Sequence, residues 1–155
     1  GADATQLSGV TDYSWLQLLS EIGTDLSSWP TEKQFTSWLG LAPGQNHSGK
    51  KKKNVSKGSP RVGQIFRTIA QSLINSKHLA WGSFARKLRA RKGPKVANKA
   101  LARKIAEQYW RLMVKGGEFV EQGIEKYEEQ LRLQKEKNLT KLANELGMKV
   151  EPANR

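Results

Sequence analysis

The chain has 155 residues and no cysteine. That excludes disulfides, thiol catalysis and any cysteine-based zinc site. Histidine is nearly as scarce: His47 and His78 are too far apart in sequence to make a local metal motif. No apolar run approaches the roughly 18 residues that a membrane span needs, and no secretory leader pattern is visible. The most informative scarcity is of acids in the middle of the chain. Residues 48–115 hold nineteen Lys/Arg and a single acid, Glu107.

What is present follows from that imbalance. Residues 1–47 carry net charge −4, residues 48–115 carry +18 and residues 116–155 carry −1, so essentially all of the overall +13 sits in one block. Surface charge that serves only solubility is mixed in sign. A block of one sign calls for a polyanion, and nucleic acid is the expected partner. A membrane surface is not, because no basic helix carries a broad apolar face.

The periodicity predicts an all-α fold: a compact helical domain with one long basic Gly/Lys loop and a C-terminal helical tail. Trp15, Leu18, Leu19 and Ile22 repeat at helical spacing over residues 12–22, with Gly23 as the stop. Pro30-Thr31-Glu32 opens a second helix that buries Phe35, Trp38 and Leu39 and ends at Gly40. Residues 40–59 hold four glycines, one proline and five lysines without helical period, a loop with room for a short strand near Val55.

Ser59-Pro60 reads as N-cap and first helical residue of a helix that buries Val62, Ile65, Phe66, Ile69 and Leu73. A helix over 79–92 ends at Gly93-Pro94, and one over 95–115 buries Ala97, Leu101, Ile105 and Tyr109. Trp38, Trp81 and Trp110 are expected in the core. Gly116-Gly117 should end that helix, followed by an acidic helix from Glu118 to about Lys137 and a short one ending near Gly147. In the acidic helix, Phe119, Ile124, Tyr127 and Leu131 are available either for self-association or for closing the core.

The loop is where chemistry is expected. Asn46-His47-Ser48-Gly49-Lys50 runs straight into Lys51, Lys52 and Lys53. A serine hydroxyl beside several cations can attack a phosphate or merely hold one, and Ser48-Gly49 is equally readable as an ordinary turn. Gly49 would let backbone come close to a phosphate. Lys50–Lys53, Lys57 and Arg61 would stabilise charge on it. His47 adjoins Ser48, but neighbours in extended chain point to opposite sides, which favours a phosphate contact over a base. Arg86, Lys87, Arg89, Arg91 and Lys92, followed by the i, i+4 ladder Lys95, Lys99 and Arg103, read as backbone-positioning cations.

The Trp38-Leu39-Gly40-Leu41-x-Pro43-Gly44 run, the Asn46–Lys50 turn and Ser56-Lys57-Gly58-Ser59-x-Arg61 resemble the C-terminal domain of a bacterial insertion-sequence transposase family. Members of that family join a DEDD-type, Holliday-junction-resolvase-like nuclease domain to a serine-bearing domain and use a guide RNA to choose donor and target DNA. The resemblance extends from a helix-hairpin-helix-like entry over 7–23 to the Leu142-Ala143-x-x-Leu146-Gly147 ending, about residues 7–148. Gly9-Val10-Thr11 departs from it in lacking the second glycine of a full hairpin.

The resemblance implies a serine-bearing transposase domain over 1–117 with its basic loop at 40–59, and an acidic helical tail over 118–155. It makes Ser48 the nucleophile of a phosphoserine intermediate in DNA transposition. No cofactor is expected in this chain, and Mg2+ is expected with the DEDD domain. DNA, a guide RNA, a DEDD domain and further copies of the chain are the expected partners, in the bacterial cytoplasm near the nucleoid. Residues 1–47 offer no acidic tetrad, so the chain is expected to be a fragment, a processed domain or a decayed copy that binds but does not recombine alone. The rival expectation is a basic nucleic-acid-binding domain, or a truncated remnant, without catalysis.

Overall fold

Thr11 starts the first long helix because its hydroxyl accepts the Ser14 amide while Ser14 Oγ accepts the Thr11 amide, a reciprocal cap that satisfies two orphan donors. Thr31 and Gln34 repeat this device on the next helix. The computed structural model describes residues 2–43, 60–76 and 79–151. Among them are a 3-10 turn at Ala4–Gln6 and six helices: α1 (Asp12–Ile22), α2 (Glu32–Trp38), α3 (Pro60–Ile74), α4 (Leu79–Lys92), α5 (Pro94–Lys115) and α6 (Gly117–Glu145). No strand occurs among the described residues.

α5 is the hub, packing against α2, α3, α4 and α6. Its inward stripe of Ala97, Leu101, Ile105 and Tyr109 is buried as the spacing predicts, joined by Ala102, Ala106 and Leu112. The alanines let neighbouring helices approach closely, and the large groups fill what remains. Phe35 of α2, Phe66 of α3 and Tyr109 of α5 meet as one aromatic cluster, with ring centroids 5.7 to 6.3 Å apart. Trp81 and Trp110 are core residues, and Trp110 Nε1 donates to the Trp29 carbonyl at 2.9 Å.

Two half-buried groups tie α2 to α5. Arg111 donates through Nη2 to Glu32 Oε1 at 2.6 Å and through Nε to Glu32 Oε2. These bonds hold the Glu32 carboxyl below its usual range and raise the Arg111 guanidinium. The clamp also puts a negative charge in the first turn of α2, where the helix dipole favours it.

Tyr109 is the anomaly of the core. It has no exposed surface, and its hydroxyl has no hydrogen-bond partner among the described residues. Burial pushes its pKa up to about 12. Tyr109→Phe should therefore raise stability by about 1 kcal/mol, since it removes a desolvated polar group while keeping the ring. The pH dependence has a definite sign. The unfolded chain loses this proton near pH 10 while the folded chain keeps it, so wild-type stability falls from pH 10 towards 12. Urea unfolding of both proteins at pH 7 and pH 11 should show the gap widening at the higher pH. A less stable phenylalanine variant would mean that the hydroxyl is satisfied after all.

The C-terminal part differs from expectation. α6 begins at Gly117 and continues unbroken to Glu145, where separate helices ending near Lys137 and Gly147 were expected. No glycine or proline interrupts residues 124–146. The i, i+4 pairs Arg132–Glu136 (3.0 Å) and Lys141–Glu145 (3.9 Å) fall on either side of the expected break. Gly116 (φ +90°) makes the turn between α5 and α6, and Gly147 (φ +68°) ends the run. Leu131 is half-buried; the packing expected of Phe119, Ile124 and Tyr127 concerns side chains outside the described set. Within 7–23 there is one helix, α1, entered through a turn at Gly9 (φ +83°), rather than a pair of helices around a hairpin.

Candidate nucleic-acid interface

Ser48, His47, Gly49, Lys50, Lys51, Lys52, Lys53 and Lys57 lie outside the described residues, as do Val55 and the Ser59 N-cap. The chain on either side is held by specific contacts. After α2, Gly40 turns at φ +68° and the Leu41 amide donates to the Thr36 carbonyl at 2.9 Å, which buries Leu41. In the first turn of α3, Val62 is buried, and Gly63 faces the Leu39 carbonyl so closely that a Cβ there would lie 2.2 Å from its oxygen. Leu39 and Gly63 are thus in backbone contact, which brings the end of α2 against the first turn of α3.

Arg61 stands at that place. Its side chain is 82% exposed, and Nε lies 3.0 Å from Glu21 Oε1 of α1. A pair this exposed contributes at most about 1 kcal/mol and exchanges readily for another anion. Lys87, Arg89, Arg91 and Lys92 on α4 are exposed, as is Lys95 on α5, while Lys99 is half-exposed. None of these makes an ion pair with a described residue. The last turn of α4 carries three of them, where cations also complement the helix dipole.

Two of the expected cations are engaged within the protein. Arg86 Nη1 donates to the Ser76 carbonyl at 2.9 Å, covering a carbonyl just past the end of α3. Gly82 makes room for it, since a Cβ there would lie 2.7 Å from that nitrogen. Arg103 Nε donates to Glu107 Oε1 at 2.8 Å, with both side chains mostly covered. The ladder on α5 therefore presents Lys95 and Lys99 but not its third rung. The sole acid of the basic block sits four residues beyond Arg103, on the same face of the helix and within reach of it.

The structure adds residues that composition did not single out. A groove of about 680 Å³ runs between α3 and α5, lined by Gln64, Arg67, Thr68 and Gln71 on one wall and Pro94, Lys95, Asn98 and Lys99 on the other. Among the described residues it holds three cations and three amides and no carboxylate. A second groove, about 660 Å³ between α1 and α3, shares Gln64 and Thr68 with it but contains the carboxylate of Glu21 beside Arg61. The signal for the first groove was present in the sequence as polar residues at 64, 67, 68 and 71, between the buried positions of α3. Nothing in that spacing says that α5 lies opposite.

Among the described residues, no three His, Asp or Glu side chains are grouped so as to hold a metal ion, so they do not fit a divalent-cation centre. No helix among them is long and apolar enough to cross a membrane. A family model described as Transposase IS116/IS110/IS902 family matches residues 3–86, more than half of the chain. That span takes in α1 to α3, the Ser48 segment and α4 as far as Arg86. No curated protein and no solved structure matches.

Proposed function

The chain belongs to the IS116/IS110/IS902 transposase family, and from that premise we propose that it is the serine-bearing, DNA-engaging part of a transposase. The observation that carries the reading is that the family match runs through Ser48 and the four consecutive lysines that follow Gly49. In this reading Ser48 Oγ attacks a DNA phosphodiester. The Oγ–P bond forms, the P–O bond to the departing strand breaks, and that strand leaves as a hydroxyl. A second strand's hydroxyl reverses the step and frees the serine. The phosphoserine ester retains the phosphodiester energy, so rejoining needs no nucleotide.

Lys50–Lys53 and Arg61 stabilise the charge gathered on phosphorus in the transition state. The contact of Leu39 with Gly63 supports the reading, because it brings the residues that flank the segment close together. Carboxylates and Mg2+ belong, in this proposal, to a DEDD domain of the kind the family resemblance implies, and a guide RNA shares the basic face with DNA. The test supplies that domain in trans and looks for a protein–DNA adduct that survives denaturing electrophoresis. Ser48→Ala should reduce the adduct by about 10³-fold or more while leaving DNA affinity unchanged. Adduct formed at the wild-type level by Ser48→Ala would remove Ser48 from the mechanism.

The exposed cations of α4 and α5 support a second reading, a nucleic-acid-binding domain without catalysis. It predicts the same salt-dependent binding and no adduct with any added domain.

A further inference from the structure

Three arginines among the described residues are half-buried: Arg67, Arg103 and Arg111. Two of them have a carboxylate, Arg103 that of Glu107 and Arg111 that of Glu32. Arg67 makes no ion pair with a described residue, and its Nε is buried with no hydrogen-bond partner among them. The sequence offers little to supply one. Glu107 is the only acid between Glu32 and Glu118, and it is engaged by Arg103. A guanidinium stays charged at any ordinary pH, and a charge drawn out of water without a counter-ion is unfavourable.

Arg103 shows what Arg67 lacks. The partner of Arg103 stands four residues on, at Glu107, whereas four residues on from Arg67 stands Gln71, an amide in place of a carboxylate. Gln71 Oε1 accepts from Asn98 Nδ2 at 3.3 Å, and the same nitrogen donates to the Arg67 carbonyl at 3.0 Å. Arg67 and Gln71 both line the groove between α3 and α5, whose other wall carries Lys95 and Lys99. Resting on the nucleic-acid reading above, we propose that this groove is a phosphate site centred on Arg67, and that its ligand is a backbone phosphate of a nucleic-acid strand. The planar fork of a guanidinium matches two phosphate oxygens at once. Lys95 and Lys99, one helical turn apart, hold the adjoining phosphates. The groove of about 680 Å³ has the room of a small-ligand site, more than a lone ion fills, which favours a strand over free phosphate. The amide at Gln71 keeps Arg67 open to that ligand.

Gln71→Glu tests this on the 155-residue chain, because it supplies the missing carboxylate while leaving an oxygen for Asn98 to donate to. It should raise the melting temperature by about 1–3 °C and weaken binding of a labelled single-stranded DNA, read by fluorescence anisotropy at one salt concentration, by about tenfold. Arg67→Gln should weaken that binding to a similar extent. Replacing chloride by inorganic phosphate at matched ionic strength should raise the melting temperature of the wild type by about 2 °C more than that of either variant. If Gln71→Glu and folded Arg67→Gln both bind DNA within about twofold of the wild type, the strand site is overturned and the nucleic-acid reading stands. A phosphate effect that persists beside unchanged DNA binding would assign the groove to the free ion instead, which also overturns the proposal. Failure of the wild type to bind DNA at all overturns both.

Discussion

Gly63→Ala should destabilise the protein by about 2–4 kcal/mol, with the urea midpoint lowered accordingly. The sign is the notable part. Gly63 lies inside a helix, where replacing glycine by alanine ordinarily stabilises by about 0.5–1 kcal/mol. Here a Cβ would sit 2.2 Å from the Leu39 carbonyl oxygen. That obstacle is backbone, so no rotamer change relieves it. α3 would have to move away from the end of α2, opening the packing around Val62, Leu39 and Leu41, all buried. Gly117→Ala is the matched control: the nearest atom to its Cβ, at 3.2 Å, is the tip of the Gln6 side chain, which can swing aside. Its stability should stay within about 1 kcal/mol of wild type. Equal midpoints for Gly63→Ala and Gly117→Ala would show that the α2–α3 contact is looser than described.

The second large effect is on binding. If about six to eight of the cations meet phosphates, log K for DNA should fall against log salt with a slope of about −5 to −7, a loss of about 10³- to 10⁴-fold between 50 and 200 mM. The structure sharpens this into a difference between neighbours on one helix. Lys99 makes no ion pair with a described residue, so Lys99→Ala should reduce the slope by about 1. Arg103 is already paired with Glu107 at 2.8 Å, so Arg103→Ala should leave the slope nearly unchanged. Salt titrations of the wild type and these two variants distinguish the cases. A slope that shifts for Arg103→Ala and not for Lys99→Ala would reverse the assignment of which cations face nucleic acid.

Helices were the most legible part of the sequence because several are bounded by chemical punctuation: Pro30-Thr31-Glu32 and Ser59-Pro60 as starts, Gly23, Gly40 and Gly93 as stops. α5 begins at Pro94, one residue before the expected start after the Gly93-Pro94 break. α6 was read too short. Its interior has a weak apolar pattern and only paired charges to sustain it, and such pairs leave a fainter trace than a buried stripe.

The family resemblance was legible in the residues around Ser48, and the family match covers that stretch. The chemistry expected of Ser48 still rests on sequence, since residues 44–59 lie outside the described set. For the basic block, sequence established how much positive charge there is and where along the chain it lies. Which cations remain available was decided by contacts between residues far apart or on facing turns: Arg86 is spent on the Ser76 carbonyl, Arg103 on Glu107.

By itself, then, the sequence determined the all-helical class, most helix boundaries and the segregation of charge, because these depend on interactions within a few residues along the chain. Only the tertiary structure decided that Gly63 must be glycine, that Tyr109 is buried with no partner among the described residues, and that Asn98 meets Gln71 across the groove between α3 and α5. Each depends on two helices coming together. Local periodicity says which face of a helix is buried, but not what lies against it.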